Sequence, residues 1–274
     1  MSVLEKGKYI IFLDIDGTVF DGKQVPEKNV QALRRAKAEG HKIFLNTGRA
    51  DCIVTKEIRD AIQPDGVVSS MGTAIFVGKE CIYSAVMPRE DVEYLVRFGE
   101  ELGVWVIIES IEKLVSLNGP AYLDQDHFLD HAENLFVQYS DMQIGKVSYM
   151  QGLPEESIAP LRKRFKGVYP HSKYVEIPTG DCNKATAIQR VCDYYGVGIE
   201  CSIAMGDSGN DVDMVRFAGI GVAMGNATEE IKEAADFITL SCEDSGVAYA
   251  IEKLIFDKEN DGNGIIFNSL ENEI

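Results

Sequence analysis

Basic residues are in short supply in this chain. Lys and Arg number 27 against 44 Asp and Glu, a net charge of −17 over 274 residues. A surface of that sign repels phosphate backbones and anionic lipid, so neither nucleic acid nor a membrane is expected as a partner. Cys-x-x-Cys pairs are missing: the six cysteines (Cys52, Cys81, Cys182, Cys192, Cys201, Cys242) lie scattered and are expected as reduced thiols. No apolar run approaches the ~18 residues of a membrane span. The run Tyr9–Leu13 behind Lys6 and Lys8 is cut by Asp14 before it reaches the length of a signal-peptide core. A cytoplasmic protein is the expectation. Repeats and low-complexity linkers are absent as well.

The chain does hold ample material for a core. Its composition is 45% apolar and 26% charged, that of a soluble globular protein with one large domain or two ordinary ones. The N-terminal part alternates strand and helix patterns. Tyr9–Leu13 is a continuous apolar run, as a strand buried on both faces requires. Helical spacing follows over Glu27–Glu39, with Pro26 near its start and Gly40 past its end. A strand is predicted over Lys42–Asn46, a helix over Asp51–Ile62 and a strand over Gly66–Ser69. This order argues for a parallel, doubly wound sheet.

The texture then changes. Thr73–Phe76 and Cys81–Ala85 read as a hairpin, and helices mix with alternating strands (Val104–Glu109, Leu114–Leu117, Lys146–Met150) up to Lys173. Nothing in the pattern of residues 124–141 assigns an element. Parallel texture resumes after Lys173–Ile177: helices over Asn183–Tyr195, Asp211–Ala218 and Glu229–Ala235 alternate with strands over Ser202–Met205, Ile220–Ala223 and Phe237–Leu240, and Glu243–Ile255 closes the pattern. The expected architecture is an α/β core, residues 1–85 and 178–274, interrupted by an α+β domain at 86–177, with 257–274 as a loosely attached tail. Such an insertion commonly forms a lid over the carboxyl ends of the strands, where open α/β sheets bind ligands.

Four clusters fall at the ends of core strands or the start of a helix. Asp14-Ile15-Asp16-Gly17-Thr18 follows the first strand. Two carboxylates that close need a cation, a shared proton or an incoming electrophile, unless the segment is simply an Asx/Gly turn. Asn46-Thr47-Gly48-Arg49 closes the second strand. Its hydroxyl and free backbone N–H groups suit a phosphate oxygen, and equally a capped strand-to-helix turn. Asp181-Cys182-Asn183-Lys184 opens a helix with a lysine where the helix dipole favours acids. Lys184 is understandable there if it neutralises a bound anion, and otherwise is ordinary solvated surface. Gly206-Asp207-Ser208-Gly209-Asn210-Asp211 gathers oxygen ligands suited to a hard cation, or forms another Asx-rich turn. In so acidic a chain, any phosphate site must be made locally positive by metal, Lys or Arg, and backbone N–H groups.

These motifs, in this order, resemble the haloacid dehalogenase superfamily of phosphohydrolases. The large insertion between the second and third resembles the Cof-like branch with a type-two cap. Small departures are Asn46 and Thr47 in place of a more usual Ser/Thr pair, and Ala185 where a Gly is common. The resemblance spans nearly all of the chain except the tail and implies a Rossmann-like core. It implies Asp14 as the nucleophile that becomes an aspartyl-phosphate and Asp16 as the acid, then base. It implies Mg²⁺ held by the Asp14 side chain, the Asp16 backbone carbonyl and Asp207. Thr47, Gly48, Lys184 and Asn210 would hold the phosphoryl oxygens, with Asp211 orienting Lys184 or a metal-bound water. The expected activity is hydrolysis of a small phosphorylated metabolite, a sugar or polyol phosphate. A sugar phosphomutase on the same scaffold and a non-catalytic metabolite-binding relative are the alternatives. Arg89, Trp105, Glu109, Tyr122, His127 and His131 are candidate selectors of the substrate within the insertion.

Overall fold

The computed structural model describes residues 4–120 and 127–257. Tyr122 and residues 258–274 of the expected tail lie outside the described residues. The strands run β1 (Ile10–Leu13), β2 (Lys42–Asn46), β3 (Gly66–Ser69), β4 (Ala74–Val77), β5 (Glu80–Ser84), β6 (Val106–Ser110), β7 (Leu114–Leu117), β8 (Phe128–Leu129), β9 (Ile144–Tyr149), β10 (Tyr169–Pro170), β11 (Val175–Pro178), β12 (Ser202–Gly206), β13 (Ile220–Ala223) and β14 (Phe237–Ile238). The helices are α1 (Glu27–Ala38), α2 (Lys56–Ile62), α3 (Arg89–Glu101), α4 (Leu135–Gln138), α5 (Glu155–Arg164), α6 (Lys184–Tyr195), α7 (Val212–Phe217), α8 (Glu229–Ala234) and α9 (Gly246–Ile251). The chain divides into two compact units. One comprises the described residues up to Asn46, Thr55–Val67 and those from Lys184 onward; the other comprises Thr47–Val54 and Val68–Asn183.

The first unit is the doubly wound α/β element. β1 pairs in parallel with β2 from Ile10↔Lys42 to Leu13↔Leu45, and with β12 from Ile10↔Ser202 to Leu13↔Met205. β12 pairs in parallel with β13, and β13 with β14. The chain winds outward from β1 to β2 on one side and from β12 to β14 on the other. The strand order therefore reverses between β1 and β12, the place where an open parallel sheet leaves a crevice at its carboxyl ends. All four β1 residues are buried, as the uninterrupted apolar run requires. α1 starts behind Pro26 with Glu27 in its first turn, carries Arg35 and Lys37 in its last, and gives way to Gly40 at φ +92°.

The second unit holds the hairpin β4–β5 and a sheet of order β10-β11-β9-β6-β7-β8, antiparallel except between β7 and β8. Alternation sorts its strands into two faces. Val106, Ile108, Val115, Val147, Tyr149, Val175 and Ile177 join one apolar cluster with Val92, Leu95 and Val96 of α3 and Ile158 and Leu161 of α5. The intervening residues, among them Glu109, Lys146, Ser148 and Glu176, belong to the other face and are nonetheless buried.

The expected helix over Asp51–Ile62 is two pieces, a single 3₁₀ turn at Asp51–Ile53 and then α2. Val54 and Thr55 between them are extended, and both are β-branched. The final segment is likewise divided, into α9 and a π-helical turn at Glu252–Phe256.

Candidate active site

Asp14 follows β1 directly, and its N–H donates to the Met205 carbonyl of β12 at 3.0 Å. The neighbouring strand therefore fixes the height at which the chain leaves the sheet. The carboxylate is buried, and its Oδ1 accepts a hydrogen bond from Lys184 Nζ at 2.6 Å. Lys184 also donates to Asp211 Oδ1 at 2.6 Å and is itself 0% exposed. A lysine at the first residue of α6 runs against the helix dipole, but here the ammonium sits between two carboxylates. Burial acts against its charge, yet Asp14 and Asp211 outweigh that cost and hold the ammonium protonated well above its ordinary range. Asn46, buried at the end of β2, donates to the Lys184 carbonyl at 3.0 Å and so secures the start of this helix.

The turn after β12 is built around Asp211. Its Oδ2 accepts the backbone N–H groups of Asp207 at 3.1 Å and Ser208 at 3.0 Å. Ser208 and Asp211 form a reciprocal capping box that opens the short 3₁₀ turn leading into α7. Both oxygens of Asp211 are thus engaged, one by the backbone and one by Lys184. A Cβ on Gly206 would fall 2.5 Å from the Asp211 side chain, so only glycine lets the turn fold back this closely. Asn210 is buried in the same turn, where its Oδ1 accepts from Ser208 Oγ at 3.0 Å.

Asp207 faces the loop after β1. Thr18 Oγ1 donates to its Oδ1 at 3.2 Å, and a Cβ on Gly17, at φ +86°, would lie 2.3 Å from its Oδ2. Asn226 ties the two loops together: its amide donates to the Gly17 carbonyl at 2.9 Å and to Asp207 Oδ2 at 3.5 Å. Its Oδ1 accepts from Cys242 N at 2.8 Å. Thr18 belongs to the first sequence cluster without a role assigned to it there, and nothing in the sequence marks Asn226. Asn226 sits in a Gly-Asn turn after β13, with no charge to mark it. Asp16 lies exposed on the loop, in an isolated bridge with Phe20.

Carboxylate oxygens of Asp14, Asp207 and Asp211 all lie within 4.8 Å of one another. Three acids against one ammonium leave an excess of negative charge in a largely buried site. Burial raises the pKa of Asp14 well above the ordinary carboxylate range; Asp211 adds to the rise and Lys184 opposes it. Burial and then Asp211 push Asp207 up to about 7. Hard oxygen donors, excess negative charge and raised carboxyl pKa values together fit a divalent cation.

Thr47 and Gly48 follow β2 and are grouped with the second unit. Thr47 N donates to Val68 O at 2.9 Å, and Thr47 Oγ1 accepts from Arg49 N at 3.1 Å. Among the expected selectors, Arg89 is paired with Glu93 at 2.9 Å and stacks over Phe136, while Trp105 donates to Ser116 at 2.8 Å. His127 packs edge-on to Tyr139, and His131 pairs with Glu100 at 3.3 Å. Glu109 is buried against Lys146 and Ser148.

Comparison with known proteins extends over nearly the same span. The family model for haloacid dehalogenase-like hydrolases matches residues 11–251. The putative phosphatase YkrA of Bacillus subtilis is 29% identical over 250 residues, covering 89% of this chain and 97% of that protein. The 5-amino-6-(5-phospho-D-ribitylamino)uracil phosphatase YitU of the same organism is 29% identical over 264 residues, covering 89% of this chain and 97% of that one. Among solved structures, the subclass IIB sugar phosphatase BT4131 superposes with a TM-score of 0.79 at 27% identity, covering 90% of this chain and 99% of that chain.

Proposed function

The chain belongs to the haloacid dehalogenase-like hydrolases, and from that premise we propose that it is a Mg²⁺-dependent phosphatase acting on a small sugar or polyol phosphate through an aspartyl-phosphate on Asp14. Its phosphatase relatives and its likeness to a subclass IIB sugar phosphatase make it a phosphatase of the Cof-like branch. The observation that carries the mechanism is the buried Lys184 ammonium held 2.6 Å from both Asp14 and Asp211. A carboxylate attacking a phosphate dianion is a meeting of two anions, and a fixed cation beside the nucleophile lowers that repulsion.

In this reading Asp14 attacks phosphorus, and the bond to the leaving alkoxide breaks as Asp16 gives it a proton. Asp16 then takes a proton from water, which attacks phosphorus and frees the Asp14 carboxylate. An exposed loop position leaves Asp16 open to the water that it must deprotonate in the second step. Asp211, fixed by two backbone N–H groups, orients Lys184. Thr47, Gly48 and Asn210 supply further donors to the phosphoryl oxygens. Phosphatases of this family use a divalent metal; Asp14, the Asp16 carbonyl and Asp207 would hold Mg²⁺, which supplies positive charge at the developing phosphoryl oxygens. The relatives' named substrates support the substrate class, since a phosphoribityl group is a polyol phosphate. The insertion expected at 86–177 is the part that selects among such molecules.

Purified protein with Mg²⁺ is expected to release phosphate from para-nitrophenyl phosphate, and Asp14→Asn to lose at least about a thousandfold in kcat. A screen of sugar and polyol phosphates then identifies the preferred ester. No turnover of any phosphate monoester by the wild type contradicts the reading, as does an active Asp14→Asn.

A further inference from the structure

The second unit buries three charged side chains that the mechanism above does not use. Lys146 of β9, Glu109 of β6 and Glu176 of β11 have side chains only 3%, 5% and 6% exposed. Lys146 Nζ lies 2.6 Å from Glu176 Oε1 and 3.1 Å from Glu109 Oε1, and Ser148 Oγ donates to Glu109 at 2.6 Å. Burial opposes the ammonium, but the two carboxylates keep its pKa raised, so it stays charged. Stability alone is a poor reason for such a trio, because apolar replacements of similar volume are often as stable or more so.

The third partner of Lys146 is the informative one. Its ammonium donates to the carbonyl of Gly48 at 2.5 Å. Glu176 packs against the same residue so closely that a Cβ on Gly48 would lie 2.6 Å from its Oε1. The Gly48–Arg49 peptide is therefore held at both ends, its carbonyl by Lys146 and its N–H by Thr47 Oγ1 at 3.1 Å. The preceding peptide is held through the Thr47 carbonyl, which accepts from Met71 N at 3.1 Å. With both flanking planes fixed, the direction of the Gly48 N–H is fixed too. Among the described residues that N–H has no hydrogen-bond partner, whereas those of Thr47 and Arg49 are both engaged.

We propose that Lys146, held in place by Glu176 and Glu109, is a positioning residue that orients the Gly48 N–H toward an oxygen of the transferring phosphoryl group. This rests on the reading of Thr47 and Gly48 as phosphate-binding residues. A buried cation gripping the carbonyl also polarises the peptide whose neighbour carries the free donor. The trio then serves geometry, fixing a glycine loop that could otherwise rotate.

The test compares Lys146→Met with a triple variant, Lys146→Met, Glu109→Met, Glu176→Leu, which removes the whole buried charge set. Para-nitrophenyl phosphate and inorganic phosphate serve as probes. Lys146→Met removes the ammonium that lies between two buried carboxylates and is expected to lower both melting temperature and kcat. The triple variant is expected to regain the melting temperature while kcat stays down about 10- to 100-fold, at or below the cost of losing one oriented donor outright. Its inhibition constant for inorganic phosphate rises in parallel. Glu176→Gln keeps the shape and weakens the grip, and its kcat falls in the same direction. A folded triple variant with kcat and phosphate inhibition near wild type overturns the proposal, as does a folded Glu176→Gln with both unchanged. If those variants match a wild type that Asp14→Asn inactivates, the positioning role alone fails. A wild type without phosphatase activity overturns this role together with the reading beneath it.

Discussion

Replacing Asp207 by Asn is expected to change stability with opposite signs in metal-free and metal-bound protein. Without a cation, burial and then the charge of Asp211 push the Asp207 carboxyl from its ordinary 3.8 to about 7, against the opposing pull of Lys184 and Thr18. A displacement of that size corresponds to about 4 kcal/mol between the two protonation states. The carboxyl is only partly buried, so water reduces the cost of its ionisation to on the order of 2 kcal/mol. The protonated group is the one the fold accepts. Its contribution is fully present below about pH 4, where folded and unfolded chains both hold the proton, and is lost as pH rises through about 7. An amide cannot ionise. In EDTA at pH 8, Asp207→Asn should therefore melt about 4–8 °C above wild type, with the difference closing toward pH 4. Added Mg²⁺ reverses the order, because saturation at a hundred times the dissociation constant stabilises wild type by about 2.7 kcal/mol while the variant has lost a ligand. Thermal melts at pH 4 to 8, in EDTA and in Mg²⁺, read both effects. A variant less stable than wild type in EDTA at pH 8 would show that ionised Asp207 does not destabilise the metal-free fold.

Two further outcomes follow from single side chains. Asn226→Ala removes the amide that ties the Gly17 carbonyl to Asp207 and the acceptor of the Cys242 N–H, so the Mg²⁺ concentration needed for half-maximal activity should rise about 10-fold and the melting temperature in EDTA should fall by about 2–4 °C. Tyr149→Phe deletes a buried hydrogen bond to the Leu95 carbonyl at 2.8 Å and should destabilise the protein by about 1–1.5 kcal/mol in urea melts without altering KM.

Much of this fold is written in runs of apolar residues. Lys42–Asn46, Gly66–Ser69, Leu114–Leu117 and Ile220–Ala223 keep their predicted bounds, since an apolar run between turn-forming or charged residues leaves little freedom in where a buried strand ends. The Asp51–Ile62 segment carries helical spacing, but the adjacent branched residues Val54 and Thr55 adopt extended backbone, and only α2 survives as an α-helix. In the site, Asp14, Lys184, Asp207 and Asp211 stand out because charge at the end of an apolar strand or the wrong end of a helix is unusual. Asn226 lacks that signal, and its role exists only once the β1 and β12 loops are side by side. Lys146 and Glu176 are hidden differently. A charged residue at every second position is what any half-exposed strand displays, so the pattern cannot tell a solvent-facing Lys from one buried against a glycine carbonyl.

In the proposed reaction Asp14 carries the phosphoryl group between the two steps. Para-nitrophenolate leaves without needing a proton, so Asp16→Asn should still phosphorylate Asp14 from para-nitrophenyl phosphate but fail to activate the water that removes it. Rapid acid quench of that variant, followed by peptide mass spectrometry, should find near-stoichiometric phosphate on the peptide containing Asp14. Turnover with no phosphorylated peptide, or with phosphate on a residue other than Asp14, contradicts an aspartyl-phosphate on Asp14.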